Sequence, residues 1–149
     1  MKQITLMLLL TGLAAAATSG VDIYTAKELQ GIGQKLSEKG SFGSQTLERY
    51  VNSYTMVAHR EATGSAEVHE HEADFFVVQS GEASLVTGGK VLNPKTEKTG
   101  EIRGSSIEGG DRHHLAAGDI VHIPAGVPHL LEIEKGVPFT YFVVKVTGQ

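Results

Sequence analysis

The chain has 149 residues, a length that suits one domain and leaves too little for two independent cores. Seventeen acidic residues against thirteen basic ones give a formal charge of −4 with no run of Lys or Arg, which argues against a nucleic-acid partner. Cysteine is absent, which excludes disulfides and thiolate ligands, so a metal would be held by nitrogen and oxygen.

Lys2 is followed by an apolar run over residues 4–13 and then by four alanines, Ala14 to Ala17. A positive start, an apolar middle and small residues before a cut predict a secretory signal peptide over residues 1–17, with cleavage after Ala17. The run is shorter than the roughly 20 residues of a membrane-spanning helix, so no stable span is expected after cleavage. Removing Lys2 with the leader takes the formal charge from −4 to −5. The expected location is periplasmic or secreted.

Residues 18–47 read as a short N-terminal helix and lead-in. Thr25-Ala26-Lys27-Glu28 has the form of a capping box, Thr25 as N-cap with Glu28 reaching back. The helix is predicted to end near Ser37, weakened inside by Gly31 and Gly33. Residues 40–44 are expected to be a loop.

Residues 48–149 change texture. Short segments rich in Val, Ile, Tyr, Phe and Thr alternate with Gly, Pro, Asn and Asp. Strands are predicted at 50–58, 66–71, 74–79, 83–87, 90–92, 112–115, 119–123, 129–134 and 139–146, with Gly88-Gly89 as a turn. No intervening segment is long enough for a helical crossover, so the class is all-β, a sandwich or barrel. Residues 93–111 are polar, hold four glycines and are expected to form a long solvated loop.

The seven histidines are unevenly placed. His69 and His71 stand two apart in a predicted strand, so both imidazoles are expected on one face, with Glu70 and Glu72 on the other. Asp74 follows a short turn predicted at Glu72-Ala73, and a hairpin there would aim it back at the pair. Farther on, Gly118, Pro124, Gly126 and His129 frame a strand, a stiffened turn and a histidine opening the next strand.

These two segments resemble the two motifs of the cupin family. The first motif runs Gly, five residues, His-x-His, three or four residues, Glu, six residues, Gly. Here four residues separate Gly64 from His69, His69 and His71 fill the pair, Asp74 replaces the glutamate, and six residues separate it from Gly81. The gap from His71 to Asp74 is two residues, shorter than the motif asks. The second motif, Gly, five residues, Pro-x-Gly, two residues, His, is matched at every spacing by Gly118, Pro124, Gly126 and His129; Ile133 stands where an asparagine often follows.

The resemblance implies an antiparallel jelly-roll barrel of six to eight strands holding one divalent metal ion. The ligands carried over are His69, His71, Asp74 and His129, with water in place of Asp74 if its shorter side chain does not reach. Such a nitrogen and oxygen set suits Fe, Mn, Ni, Cu or Zn. Open positions on the metal would suit a catalyst. The function expected is that of a metal-dependent enzyme on a small molecule, of dioxygenase, isomerase or lyase type. The alternative is a non-catalytic small-molecule or metal-binding barrel. The resemblance also implies a homodimer. Tyr54 and Tyr141, at inward strand positions, are further candidates for touching a substrate. His113 and His114 must face opposite ways and are expected at the surface, the face taken by His122 is open, and His59 is expected to be exposed.

Overall fold

The structure is a computed structural model that describes residues 20–149; the leader expected over residues 1–17 lies outside them. In chain order the elements are α1 (Ala26–Ser37), β1 (Phe42–Arg49), β2 (Ser53–Arg60), β3 (Ala66–His69), β4 (Glu72–Ser80), β5 (Glu82–Thr87), β6 (Lys90–Leu92), β7 (Lys95–Lys98), β8 (Glu101–Gly104), β9 (Ser106–Glu108), β10 (Asp111–Ala116), β11 (Ile120–Ile123), β12 (His129–Glu132) and β13 (Phe139–Thr147). Among the described residues no helix is long and apolar enough to cross a membrane.

Two antiparallel sheets face each other. One has the order β1-β2-β13-β4-β11 and the other β10-β5-β12-β3-β8-β7, with β6 and β9 forming a separate ribbon. The alternation of β2, β4 and β13 sends one set of side chains inward. Phe76, Val78, Tyr141 and Val143 thus meet Leu85, Leu115 and Leu131 from the opposite sheet in one buried cluster.

The predicted capping box is present. Thr25 Oγ1 accepts from the Glu28 amide at 3.3 Å, and Glu28 Oε2 accepts from the Thr25 amide at 2.8 Å. Leu29, Ile32 and Leu36 lie one helical turn apart and lay one face of α1 over Val57 and Phe142 on the outside of the first sheet. Gly33 makes that approach possible, since a Cβ there would stand 2.9 Å from Thr140 Cγ2.

Three segments differ from the sequence expectation. Part of the expected loop and lead-in is β1, a mostly exposed edge strand with little alternation, formed by pairing with β2 from Phe42↔Arg60 to Arg49↔Tyr54. The expected loop at 93–111 contains β7, β8 and β9. It reads as a loop because Lys95–Lys98 is exposed at all four positions, yet β8 pairs with β3 and carries buried Glu101. Finally, β3 ends at His69, so the turn falls at residues 70–71, two residues earlier than predicted. It is no hairpin: β3 and β4 belong to different sheets, and the chain crosses between them there.

Candidate metal centre

The early end of β3 decides which side chains share its inner face. Glu67 and His69 alternate inward, while Ala66 packs on the other face with Val86 and Leu130. His71 falls beyond the strand. It is exposed in the turn, its ring against Gly100 and its carbonyl accepting from the Gly148 amide at 3.0 Å. The structure therefore does not bring His71 to the cluster, and Glu67 stands where the paired histidine was expected.

Cross-strand pairing assembles the rest. Glu67 is directly opposite His129 on β12 and opposite Arg103 on β8, and His69 is opposite Glu101. On the facing sheet, Asp74 of β4 is opposite Lys145 of β13. Glu67, His69 and His129 each offer one ligand atom within 4.8 Å of the others. Asp74 closes the set: its Oδ2 lies 3.6 Å from His69 Nε2 and 3.6 Å from His129 Nε2. Glu67 Oε2 lies 3.4 Å and 3.7 Å from the same two nitrogens.

Set against the family pattern, the short gap before Asp74 is repaired, while Gly64, with two residues before Glu67 where the motif has five, departs further from it. The two-residue step is Glu67-x-His69, four residues then lead to Asp74, and six more lead to Gly81. This chain carries glutamate in place of the first histidine and aspartate in place of glutamate.

Both imidazoles are oriented from behind. His69 Nδ1 donates to Glu101, 2.8 Å from Oε1 and 2.9 Å from Oε2, and His129 Nδ1 donates to the Val127 carbonyl at 3.1 Å. With Nδ1 so engaged, each Nε2 lone pair faces the cluster. Neither Nε2 has a hydrogen-bond partner, and both are fully buried. Asp74 Oδ1 likewise has no well-directed hydrogen bond, although Lys145 Nζ lies 2.6 Å away as an ion pair of poor angle. Orphaned buried nitrogens beside two carboxylates are costly unless something shared lies between them. A divalent cation fits that donor set of two imidazoles and two carboxylates.

Charges around the cluster support ionised carboxylates. Burial opposes ionisation of Glu67, but the neighbouring rings of His129 and His69 and the charges of Arg103 and Arg60 outweigh it and hold the carboxyl well below its usual range. Burial likewise opposes protonation of His69, yet Glu67, Asp74 and Glu101 prevail over it and over Lys145 and raise its affinity for a proton.

The cluster opens on a cavity of about 500 Å³ lined by Tyr54, Met56, Phe76, Tyr141, Val143 and Lys145 among others. Both tyrosines face it, as expected. Tyr54 donates to Glu72 Oε2 at 3.1 Å, and burial with the neighbouring Glu72 charge raises its pKa. Tyr141 accepts from Arg60 Nε at 3.0 Å and is buried, which raises its pKa against the opposing charge of Arg60.

The other histidines lie elsewhere. His122 is exposed on the outer face, stacked on Phe75 with centroids 4.3 Å apart, and His113 and His114 are exposed on β10. His59 corrects the expectation of exposure. It is buried, with Nδ1 2.8 Å from Thr140 Oγ1, because α1 packs over the sheet at that point. Glu67 and Glu101 were not singled out by the sequence. Glu67 carried a signal, standing two residues before His69, whereas Glu101 sits in a polar segment with none.

A family model described as the AraC-like ligand binding domain matches residues 103–149. No curated protein matches the chain. Among solved structures, a conserved protein with a double-stranded β-helix domain from Klebsiella pneumoniae is 25% identical, with 74% of this chain and 80% of that one covered and a TM-score of 0.53. The cupin domain of Schizosaccharomyces pombe Cnp3 is 8% identical, with 72% and 66% covered and a TM-score of 0.55. The DMSP lyase of Ruegeria pomeroyi is 19% identical, with 71% of this chain and 47% of the lyase covered and a TM-score of 0.52. The two facing antiparallel sheets and these likenesses show a cupin-type double-stranded β-helix fold.

Proposed function

We propose that this protein binds one divalent metal ion through Glu67, His69, Asp74 and His129 and acts as a metal-dependent enzyme on a small molecule held in the adjoining cavity. The observation that carries this is the pair of buried, unpartnered Nε2 atoms of His69 and His129, each within 3.7 Å of both carboxylates. Bound there, Fe, Mn, Ni, Cu or Zn would supply Lewis acidity, and the redox-active members could also activate oxygen.

The chain's own residues do the rest. Glu101 and the Val127 carbonyl fix both imidazole tautomers. Met56, Phe76 and Val143 give the cavity an apolar wall that excludes water from part of the ligand. Arg60 holds the Tyr141 hydroxyl in place. The Tyr54–Glu72 pair is the candidate for moving a proton: Tyr54 stays protonated at neutral pH and donates, while Glu72 accepts. A solved neighbour of this fold is a lyase, and lyase, isomerase and dioxygenase chemistry are the reaction types proposed for this site.

Export to the periplasm or beyond is part of the proposal and rests on residues 1–17. A homodimer is also proposed, and the exposed Phe75, His122 and Ile120 on the outer face of the first sheet are the surface for it.

The test is calorimetric titration of Mn(II), Fe(II), Ni(II) and Zn(II) into metal-free protein. One-to-one binding that is lost in a Glu67→Gln/Asp74→Asn double variant supports the assignment. Binding that is unchanged in that variant sinks it.

A further inference from the structure

The inner face of the first sheet is graded. Tyr54, Lys145 and Asp74 form one polar row across β2, β13 and β4, each directly opposite the next. The row above it, Met56, Val143 and Phe76, is apolar. Lys145 is therefore a buried cation set in the cavity wall beside a proposed metal ligand. Its ammonium has three donors, yet Asp74 is its only ion-pair or hydrogen-bond partner among the described residues. A buried lysine with donors to spare is costly unless something else meets it.

Charge points to what that is. Five carboxylates and four cationic side chains line the cavity, a net charge of −1. A divalent ion at the cluster would reverse the sign to +1. Arg60 and Arg103 are already committed to Glu67, and Arg103 to Glu101 as well. Lys145 is the cation left facing the metal site.

We propose that Lys145 anchors the carboxylate, or an equivalent small oxyanion, of a monoanionic ligand bound at the loaded centre. Asp74 holds the ammonium in place through Oδ1 while its Oδ2 faces the histidines, so the anion would lie between the metal and Nζ. The apolar row of Met56, Val143 and Phe76 would take the uncharged part of the ligand. This rests on the metal reading above.

The experiment loads the protein with Co(II) and follows its visible absorption while acetate or its neutral isostere acetamide is added. Wild type should take up one Co(II) and respond to acetate at concentrations about tenfold or more below those needed for acetamide. Lys145→Met should still take up Co(II) but bind acetate about ten- to a hundredfold more weakly, and Lys145→Arg should restore most of the binding. Thermal melts establish that each variant is folded. Equal acetate affinity in wild type and Lys145→Met, or equal response to acetate and acetamide, overturns this inference and leaves the metal reading intact. Failure of the wild type to take up Co(II) overturns both.

Discussion

Glu67 and His129 are directly paired across β3 and β12, and Glu67 Oε2 lies 3.7 Å from His129 Nε2. The same carboxylate reaches His69 Nε2 through Oε2, while its Oε1 is held by Arg60 and Arg103. One side chain thus joins both histidines of the candidate site to the cationic wall of the cavity. A glutamate at this place changes which substitutions should matter.

Glu67→Gln should weaken metal binding by about tenfold or more, because a charged ligand is lost and Arg60 and Arg103 keep a poorer partner. His71→Ala should leave binding within about twofold, since that ring is exposed and outside the cluster. Metal titrations of the two variants side by side check this. A large loss in His71→Ala with none in Glu67→Gln would reverse the assignment.

Glu101→Gln tests the support behind His69. The amide can present its NH₂ or its oxygen to Nδ1 but no longer a full negative charge, so the imidazole becomes a weaker donor to a metal. Affinity should fall about ten- to a hundredfold, with the secondary structure kept. Circular dichroism and metal titration measure the two effects separately.

The residues that sequence reasoning reached and missed follow from what periodicity can see. The capping box at Thr25 and Glu28, the strands flanking Gly88-Gly89 and the motif from Gly118 to His129 depend on local chemistry, and the structure has them where expected. His69 and Asp74 were legible for the same reason. The end of β3 was not: Glu70 and His71 continue an alternating pattern, and only the crossing to the other sheet stops the strand at His69. That two-residue difference exchanges His71 for Glu67. Glu101 was invisible because the strand bearing it is specified by pairing with β3 and not by its own composition.

Gly81, the last residue of the first motif, has φ near +80°, and a Cβ there would overlap the Pro138 carbonyl oxygen. Gly81→Ala should therefore destabilise the fold by more than about 2 kcal/mol and lower the melting temperature by several degrees or more. Since backbone stands in the way, no side-chain rotation relieves it. A melting temperature equal to wild type would show that the β4–β5 turn takes another shape.

Acid should act through Glu67. Its carboxyl is depressed in the folded protein relative to the ordinary value of 4.5, so its contribution to the metal-free fold is complete above that value. The contribution is lost as pH falls from there toward the folded pKa. Urea unfolding of metal-free protein between about pH 6 and pH 3 should show stability falling with acid, and Glu67→Gln should flatten the slope. Parallel curves for the two proteins would mean that Glu67 is not strongly ionised in the fold.

Elemental analysis of protein purified without a histidine tag, for wild type and for a His69→Ala/His129→Ala double variant, tests the metal centre most directly. The account predicts close to one equivalent of a single transition metal or zinc in the wild type and almost none in the variant. Wild-type protein that holds no metal and takes up none on dialysis against Mn(II), Fe(II), Ni(II), Cu(II) or Zn(II) would contradict it.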